Sequence, residues 1–551
     1  MKKENKKENL NFLEKIIEKD LKSGFPKNKL LFRFPPEPNG YLHIGHAKSI
    51  FFNFKLAEKY KTSVILRFDD TNPIEEKKKF IESIKNDILW LGFKWKKETY
   101  ASNYFNKLYF FAKILIKKGK AYVDDQTQEQ IQEQKKNPFE KGMESPSRKR
   151  SIKENLFLFE KMKNGDFNDG ECVLRAKIDM KSPNMNLRDP IMYRIIKKKN
   201  HFKTKKNWCI YPTYDWTHGQ SDYIEQISHS FCSFEFENHK PLYKWFLKNI
   251  KKKNSLIPKQ YEFSRLNLNY NILSKRKLQI LVKKKIVNGW DDPRMPTLAG
   301  LRRRGYTPKS INNFIKKIGL SKRENNIEIS LLEFSIRKHL KKISSRVMVV
   351  INPILLIIEN YPDDQVEWFN SENFPNQLKK NYRKIPFSKK IYIENEDFLE
   401  KKQKNFFRFS LGEEIRLKNA YLLKANKIYR NLDGSIKQIY CTYDKKSLSK
   451  TGFPRKKKIK CTLHWVSTIH AIKIKINIYD NLFLEKKSEQ LKNYLDKINK
   501  NSLKTTIAYA EPSIRKATIY KKFQFQRIGY FCLDKLSKKK KLIFNKTVSL
   551  T

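Results

Sequence analysis

The sequence predicts a multidomain protein that combines an α/β half with a β-rich half. Apolar, strand-like runs lie at Leu30–Phe34 and Ser63–Phe68, and a helical apolar period lies between them over 44–57. Strands that alternate with helices favour a parallel sheet with ligands at the carboxyl ends of its strands. After about residue 345 the pattern changes to short alternating runs between turns, which is typical of antiparallel β-barrels or sandwiches.

Length and composition support several folded cores. The chain has 551 residues, of which 39% are hydrophobic and 13% aromatic. That length corresponds to about three to five domains, and the apolar content excludes a wholly disordered chain. With 17 glycines and 21 prolines the chain cannot be a collagen-like fibre.

Shifts in composition divide the chain into six segments. A short amphipathic pattern (Leu10, Leu13, Ile16, Ile17) predicts a helix in the N-terminal extension. The expected segments are the N-terminal extension 1–27, the two halves of an α/β domain at 28–115 and 211–268, an inserted α/β module at 116–210, a mainly helical segment at 269–344 and a β-rich region at 345–551.

The charge points to a polyanionic partner. Lys plus Arg number 118 and Asp plus Glu 57, so the formal net charge is +61. Nucleic acid is the simplest partner for such a chain, and its binding should depend strongly on salt. Lysine is spread along the whole chain, however, so a general drift in composition is an alternative explanation for part of this charge.

Neither a membrane span nor a disulfide framework is expected. The longest apolar stretch, Val347–Ile358, is 12 residues long and is interrupted by Asn352 and Pro353, whereas a spanning helix needs about 20. The N-terminus lacks the apolar core of a secretory signal. The six cysteines form no C-x-x-C pair, so they indicate neither a disulfide scaffold nor a zinc site. We therefore expect a cytoplasmic protein with free thiols.

The junction between the first strand and the first long helix carries the most specific chemistry. It reads P-E-P-N-G-Y-L-H-I-G-H over 36–46, and His43 and His46 are three residues apart on one helical face. A helix N-terminus offers unpaired N–H groups to a phosphate, and nearby imidazoles can donate to charge that builds there. No P-loop or G-x-G-x-x-G motif is present. In isolation, H-x-x-H is also compatible with a metal pair or with two ordinary surface histidines.

This junction resembles the HIGH motif of class I aminoacyl-tRNA synthetases, and its flanks resemble the glutaminyl/glutamyl subgroup. The resemblance continues, in order, through R-F-D-D-T-N-P (67–73), Y-P-T-Y-D-W-T-H (211–218), L-S-K-R-K-L (273–278) and F-Q-F-Q-R-I-G-Y-F-C-L-D (523–534). Nearly the whole chain, about 28 to 551, is similar to the bacterial-type glutaminyl enzymes. The fold implied is a Rossmann-like doubly wound parallel catalytic domain with an inserted acceptor-stem-binding module, a helical subdomain and two anticodon-binding β-barrels.

The resemblance implies a ligase reaction. ATP, with Mg²⁺ in the substrate complex, would activate L-glutamine to glutaminyl-adenylate, and the glutaminyl group would pass to the terminal adenosine of tRNA(Gln). His43 and His46 would act on the reacting phosphate, and Lys275 would act as a cationic clamp in a KMSKS-like loop. That loop has Leu273 where methionine is usual, and the change leaves Lys275 intact. No protein-bound metal is implied, and a monomer is expected.

Nucleotide contacts also follow from the resemblance. Ser233 stands where threonine is usual and keeps the hydroxyl group. The implied ATP-binding residues are Glu37, Pro38, Asn39, His43, Ile44, Gly45, His46, Ala47, Lys48, Ser49, Ser233, Arg265, Leu266, Leu273, Ser274 and Lys275.

The implied amino-acid pocket comprises Arg33, Asp69, Tyr214, Cys232 and Gln260. Arg33 and Asp69 would hold the carboxylate and ammonium of the substrate, and Tyr214, with Gln260 through water, would read its amide. Glutamyl relatives carry arginine where this chain has Cys232, so a neutral thiol favours the uncharged substrate. Asp69 as a helix cap, and Tyr214 and Cys232 as core residues, remain alternatives.

The tRNA would be bound at both ends. The inserted module would hold the acceptor end, and Arg346, Gln524 and Arg527 would read splayed anticodon bases, with Arg416 and Lys418 as weaker candidates. The alternatives for the whole chain are a glutamyl-tRNA synthetase and a non-catalytic tRNA-binding relative.

Overall fold

The computed structural model describes residues 9–197, 201–253, 255–374, 381–401, 408–449 and 461–551. Residues 1–8 of the expected N-terminal extension lie outside this range. The chain divides into two compact units, one formed by 1–267 and 315–327 and the other by 268–314 and 328–551.

The first unit contains eight helices among its described residues up to 267. They are α1 (Phe12–Lys22), α2 (Ile44–Tyr60), α3 (Lys78–Trp90), α4 (Phe105–Lys117), α5 (Gln128–Lys135), α6 (Ile152–Asn164), α7 (Tyr214–Ile224) and α8 (Lys240–Ile250). Its strands are β1 (Phe32–Phe34), β2 (Val64–Phe68), β3 (Lys97–Tyr100), β4 (Ala121–Asp124), β5 (Val173–Ala176), β6 (Ile191–Ile195), β7 (Ile210–Pro212), β8 (His229–Ser233) and β9 (Lys259–Phe263).

A parallel sheet forms the centre of the first unit, as predicted. Strands β1, β2 and β3 pair in that order, all parallel, and β8 pairs with β9 in parallel. The N–H of Ser228 donates to the carbonyl of Leu31 (3.0 Å), so β8 runs alongside β1. All three residues of β1 and all five of β2 are buried, which is expected of strands covered on both faces. The carboxyl ends of β1, β2 and β8 therefore meet at one edge.

The inserted segment forms its own antiparallel sheet, in the order β4-β5-β6-β7. Its core is continuous with the helices around it, because Phe159, Leu174 and Ile195 belong to the same apolar cluster as Trp216 and Phe246. The insert thus packs as part of the first unit.

The middle of the chain is mainly helical, as predicted. Its elements are β10 (Asn267–Leu268), α9 (Lys275–Lys283), α10 (Leu298–Arg304), α11 (Pro308–Ile318), β11 (Asn326–Ile327) and α12 (Ile329–Ile343).

The remainder of the second unit is made of short strands. These are β12 (Ser345–Val347), β13 (Val349–Val350), β14 (Pro353–Ile358), β15 (Glu367–Glu372), β16 (Tyr382–Phe387), β17 (Lys390–Glu394), β18 (Phe398–Leu399), β19 (Phe409–Ser410), β20 (Glu414–Leu417), β21 (Leu422–Arg430), β22 (Ile436–Asp444), β23 (Thr462–Leu463), β24 (Val466–Ser467), β25 (Ile472–Tyr479), β26 (Leu503–Ala510), β27 (Lys522–Phe525), β28 (Gly529–Leu533) and β29 (Ile543–Ser549).

Two seven-stranded, barrel-like sheets organise these strands, in the orders β23-β20-β21-β22-β14-β17-β24 and β12-β27-β28-β29-β25-β26-β13. Each encloses its own apolar cluster. The sheets are mixed rather than purely antiparallel: β14 with β22 and β20 with β23 are parallel in one, and β12 with β27 and β25 with β29 in the other. Each sheet therefore contains two parallel pairs at equivalent places in its order.

None of the helices in the described ranges is both long enough and apolar enough to cross a bilayer.

Candidate active site

The histidine pair forms the N-terminal cap of α2. His43 is the cap residue; its Nδ1 accepts from the N–H of Gly45 (3.1 Å), and the Nδ1 of His46 accepts from the N–H of His43 (3.2 Å). The two rings lie 3.8 Å apart between centroids. Because both Nδ1 atoms accept, a neutral ring carries its proton on Nε2. The pair therefore presents Nε2–H donors beside the positive end of a helix, an arrangement suited to phosphate oxygens.

The loop before α2 is tied to the turn that follows β2. The N–H of Asp69 donates to the carbonyl of Pro36 (3.1 Å), and the N–H of Lys77 donates to that of Pro38 (3.1 Å). Within the loop, the amide of Asn39 donates to Glu37 (2.7 Å). These bonds fix the backbone of the loop that leads from the parallel sheet to the histidine cap of α2.

Arg33 on β1 is fully buried and has four of its five N–H donors occupied. Its Nε donates to Asp222 (3.0 Å), its Nη1 to the carbonyl of Phe231 (2.9 Å), and its Nη2 contacts His218 Nε2 (3.0 Å) and the Ser230 hydroxyl. A guanidinium has five such hydrogens. One N–H on Nη1 is left for a ligand.

Asp222 is the centre of this network. Its Oδ1 also accepts from Arg67 (2.7 Å), and its Oδ2 accepts from the hydroxyl of Tyr243 (3.1 Å). The two arginines outweigh burial and lower the pKa of Asp222. Burial lowers the pKa of His218 to about 3, so that ring is neutral and accepts from Arg33. The net charge of the Arg33 site is largely cancelled by Asp222.

Asp69, at the carboxyl end of β2, is buried with one carboxylate oxygen, Oδ1, lacking a hydrogen-bond partner. Burial, with Glu37 and Glu76 nearby, raises its pKa well above the usual value. An unpaired buried carboxylate is costly, and an ammonium ligand would remove that cost. The site is thus prepared for a cation.

Cys232, Tyr214 and Gln260 lie close to Arg33 and to one another. Cys232 follows Phe231, whose carbonyl binds Arg33, and it pairs in register with Glu262 on β9, two residues after Gln260. Cys232, Arg33 and Asp69 are all electrostatic neighbours of Tyr214. Burial raises the pKa of the Cys232 thiol to about 12, so the thiol is neutral at physiological pH. The structure therefore brings together all five residues predicted for the amino-acid pocket.

The amide of Gln260 has a fixed orientation. Its Nε2 donates both to the carbonyl of Phe236 and to Glu262, at 3.1 Å each. With both N–H hydrogens used, the atom that Gln260 can offer a ligand is its carbonyl oxygen, which only accepts.

The predicted nucleotide contacts differ in what their side chains do. The Ser233 hydroxyl is buried without a hydrogen-bond partner and is a suitable ligand group. Arg265 is about one-third exposed and donates to Asn267 (3.1 Å). The ammonium of Lys48 is buried and donates to the carbonyl (2.5 Å) and hydroxyl (3.2 Å) of Ser264; this burial lowers its pKa to about 8. The Lys48 ammonium therefore already has two hydrogen bonds within the fold, and its contact with ATP stays a prediction.

Lys275 begins helix α9 in the second unit, directly after the cap residue Ser274. The preceding loop is held by one acidic side chain, because Glu489 accepts from the N–H groups of Leu273 (2.5 Å) and Ser274 (3.4 Å). The ammonium of Lys277 donates to the carbonyl of Glu489 (2.6 Å). Residues near 489 thus support the loop that carries Lys275.

Two of the predicted anticodon residues share a cleft in the second unit. Arg346 on β12 and Gln524 on β27 are register partners and line a cleft of about 410 Å³. The other lining residues are Phe334, Arg337, Lys338, Lys341, Tyr530 and Leu550. With four cationic residues in its lining, the cleft suits a polyanion bearing flat rings.

The other predicted anticodon residues have protein partners. Arg527 pairs with both oxygens of Asp397 (2.6 and 2.7 Å). Arg416 is buried and donates to the carbonyls of Ala420 and Ser447. Lys418 is half-buried, and its carbonyl accepts from the indole of Trp465 (3.0 Å). Two carbonyls of the fold thus hold the Arg416 guanidinium, and its weaker assignment to the anticodon stays a prediction.

Sequence reasoning missed three residues. Asp222 and Glu489 position predicted site residues across long stretches of chain, which no local pattern reveals. Phe139 in the insert is 98% exposed, in a turn between Lys136 and Lys141. An aromatic ring so exposed among cations suits stacking on a nucleic-acid base, and a hydrophobic residue inside a lysine-rich turn was the available signal.

Three models of one protein family match most of the chain. The family model "tRNA synthetases class I (E and Q), catalytic domain" matches residues 29–342, and the two models described as the anti-codon binding domain of the same group match 344–444 and 462–534.

Curated relatives match almost end to end. Glutamine–tRNA ligases from Pseudomonas syringae pv. tomato, Pseudoalteromonas atlantica and Clostridium kluyveri are 50%, 49% and 48% identical. Each alignment covers 98% of this chain, and they cover 95%, 97% and 97% of the respective relatives. The chain therefore belongs to the class I tRNA synthetases of the glutamyl and glutaminyl (E and Q) group.

Proposed function

We propose that this chain is a glutamine–tRNA ligase. It joins L-glutamine to tRNA(Gln) in two steps, forming glutaminyl-adenylate from ATP and then transferring the glutaminyl group to the terminal adenosine. The names of the near-full-length relatives at 48–50% identity support this assignment. We also propose a cytoplasmic monomer that takes ATP as its magnesium complex.

The observation that carries the choice of glutamine is the orientation of the Gln260 amide. Its two N–H hydrogens are taken by Phe236 and Glu262, so it presents an acceptor toward a ligand. A carboxamide supplies an N–H for that acceptor, and a carboxylate does not. The neighbouring Cys232 thiol is neutral and offers no positive charge to a glutamate side chain. A pocket whose acceptors need a donor rejects the analogue that lacks one.

The first step needs positioning and charge stabilisation rather than a covalent enzyme group. The glutamine carboxylate attacks the α-phosphorus of ATP, a new carbon-bound oxygen–phosphorus bond forms, and pyrophosphate leaves with the electron pair. Nε2–H donors of His43 and His46 stabilise the negative charge that gathers on the phosphate oxygens. We assign to Lys275 the neutralisation of the departing pyrophosphate. Asp69 holds the ammonium, and the remaining N–H of Arg33 orients the carboxylate.

In the second step the terminal adenosine hydroxyl attacks the glutaminyl carbonyl, its proton passes to a phosphate oxygen of the adenylate, and AMP leaves with the electron pair of the broken carbon–oxygen bond. We assign the acceptor end of the tRNA to the insert, where Phe139 is exposed for stacking. We assign anticodon reading to the cleft of Arg346 and Gln524. We also assign Arg527 to the anticodon, because Asp397 holds its guanidinium in place while part of the side chain stays exposed.

Aminoacylation of a tRNA pool with glutamine and with glutamate tests the proposal. We expect charging of tRNA(Gln) with glutamine and little with glutamate. Equal or better use of glutamate would establish the glutamyl alternative. Lys275→Ala should lower turnover by about a hundredfold or more, the scale for losing one transition-state donor. An unchanged rate in this variant would refute the role of Lys275, and inactive wild-type protein that still binds tRNA would favour the non-catalytic alternative.

A further inference from the structure

His201 is a buried histidine of the first unit that neither the phosphate site nor the amino-acid pocket explains. It is 1% exposed and opens a tight turn, in which the N–H of Lys205 donates to its carbonyl (2.8 Å). Its ring lies against Phe202, with centroids 4.8 Å apart. In sequence it belongs to the insert, but its imidazole reaches the turn that follows β2.

The contacts of the ring leave one tautomer. Nδ1 accepts from the N–H groups of Lys203 (3.2 Å) and Thr204 (3.0 Å), so Nδ1 carries no proton. Nε2 lies 2.9 Å from the carbonyl oxygen of Asp70, an atom that can only accept, so Nε2 is the donor. Burial lowers the pKa of His201, in agreement with a neutral ring.

The acceptor of this bond is the backbone beside Asp69. The carbonyl of Asp70 follows directly on the residue proposed to bind the substrate ammonium. The Asp70 side chain is fixed separately, by the N–H (2.8 Å) and hydroxyl (2.6 Å) of Ser102. The N–H of Asp69 is fixed by Pro36 (3.1 Å). The bond from His201 to the Asp70 carbonyl and the bond from the Asp69 N–H to Pro36 therefore hold the backbone on either side of the Asp69–Asp70 peptide.

The charged groups around the imidazole are acidic on one side. Nε2 lies 3.5 Å from Asp70 Oδ2 and 3.6 Å from Glu76 Oε2. The charges of Asp69, Glu37 and Arg194 interact with these carboxyl groups, and the charge of Lys203 interacts with the imidazole ring. Within the described ranges no group of three or more His, Cys, Asp or Glu side chains has the arrangement of a metal site. A neutral N–H donor, rather than a metal ligand or a charged base, is what the ring supplies here.

We propose that His201 is a positioning residue for the ligase reaction: its Nε2–H holds the Asp70 carbonyl so that the Asp69 carboxylate meets the ammonium of the amino-acid substrate. Through this bond the 201–205 turn of the insert is coupled to the amino-acid site. The inference rests on the proposed function, because it assigns the ammonium to Asp69.

A matched pair of substitutions tests the donor itself. In His201→Gln the amide nitrogen can take the place of Nε2, whereas in His201→Asn the shorter side chain can replace Nδ1 but cannot reach Asp70. Kinetics of aminoacylation should be measured for both in the full-length enzyme. We expect His201→Asn to raise the KM for glutamine at least about tenfold, with the KM for ATP within about threefold of wild type, and His201→Gln to restore most of the loss.

Three results would overturn the proposal. A wild-type KM for glutamine in both variants would show that the bond from His201 to the Asp70 carbonyl does not contribute to glutamine binding. An equal loss in both variants would place the effect in packing rather than in the donor. A parallel rise in the KM values for ATP and glutamine would show a general structural role.

The wild-type enzyme separates this proposal from the assignment of glutamine. If it used glutamate instead, the proposed function would fail, and the same comparison would be made with the KM for glutamate, since both amino acids carry the same ammonium.

If His201→Asn does not fold, hydrogen exchange on the wild-type chain replaces it. Saturation with a glutaminol-adenylate analogue should slow exchange of the amides of Lys203 and Thr204 at least about threefold. No change at these amides, with slowed exchange at 69–77, would overturn the coupling.

Discussion

At the scale of single residues, the site depends on groups that are buried in a defined charge state. Cys232 is neutral because its thiol is buried, and Arg33 is held by Asp222 with one N–H to spare. A charge at position 232, or the loss of Asp222 as the partner of Arg33, would make the pocket less suited to a carboxamide substrate. Substitutions that alter charge at fixed position are therefore the sharpest tests.

Cys232→Arg should weaken the use of glutamine at least about tenfold in kcat/KM and relax the rejection of glutamate. The new guanidinium would lie near Arg33 and would favour a charged substrate side chain over a carboxamide. Steady-state charging with both amino acids measures the change. Cys232→Ala, which removes the thiol without adding charge, is the control and should keep glutamine preferred. Unchanged glutamine kinetics in the arginine variant would remove Cys232 from the pocket.

Asp70 gives a prediction for stability against pH. Burial, then Glu76, raises its pKa from 3.8 to about 7 in the folded protein. Between these values the unfolded chain is ionised and the folded chain is protonated, so this residue lowers stability as pH rises from about 4 to about 7. Asp70→Asn removes that dependence. Its melting temperature relative to wild type should therefore rise by about several degrees between pH 5 and pH 8.

Differential scanning calorimetry at four pH values in that range measures this difference. Comparing variant with wild type cancels the groups that do not interact with Asp70. Glu76 does interact with Asp70, and burial raises its pKa to about 8, so the measured difference includes the change that the substitution causes in Glu76. A difference independent of pH would mean that Asp70 is ionised throughout the range.

Short sequence motifs point to the residues proposed to react, but they do not reveal the residues that hold them in place. The histidine cap, Asp69 and Lys275 lie in short motifs whose residues are neighbours in the chain. Arg33 and Asp222 are 189 residues apart, and Leu273 and Glu489 are 216 apart. Such pairs follow from tertiary packing alone. The hydrogen bonds of Arg416 to the carbonyls of Ala420 and Ser447 are likewise invisible in the sequence.

At the scale of elements, the alternation of strands and helices predicted the parallel pairing in the first unit, but the short alternating runs did not predict the mixed pairing in the second. β1, β2 and α2 lie where the apolar pattern placed them, because each is buried through its own period. The parallel pair of β14 with β22 joins Leu355 to Gln438. An alternating pattern has the same period in parallel and antiparallel strands, so the two mixed sheets could not be foreseen.

The loop that carries Lys275 depends on the segment around Glu489. Glu489→Ala removes the acceptor for the N–H groups of Leu273 and Ser274, and we expect turnover to fall about tenfold through misplacement of the loop. Glu489→Gln keeps an acceptor oxygen and should recover part of the rate. Glu485→Ala is the matched control, because Glu485 lies in the same segment, is half exposed and pairs with Lys497 (3.4 Å). Equal activity in all three variants would show that the loop needs no such support.

At the scale of the whole molecule, the net charge of +61 favours binding to any RNA, whereas discrimination between RNAs must come from other contacts. Each phosphate neutralised by a lysine or arginine contributes to the salt dependence of binding whatever the RNA sequence. Contacts to splayed bases contribute to discrimination and little to that dependence. Lysine spread over both units therefore predicts tight but indiscriminate binding of RNA at low salt, and a preference for the cognate tRNA that grows as salt rises.

The 410 Å³ cleft allows these two contributions to be separated in one experiment. Lys338→Gln with Lys341→Gln removes two charges from its wall. We expect the slope of log affinity against log salt concentration to become shallower by about 1 to 2, for cognate and non-cognate tRNA alike. Arg346→Gln removes one charge beside Gln524. It should lower the affinity for cognate tRNA by at least about tenfold more than the affinity for non-cognate tRNA. Filter binding between 50 and 300 mM salt, chosen as about the range in which screening changes, measures both quantities. A uniform loss in Arg346→Gln would make this arginine one more phosphate contact, and a selective loss in the lysine double variant would transfer base reading to α12.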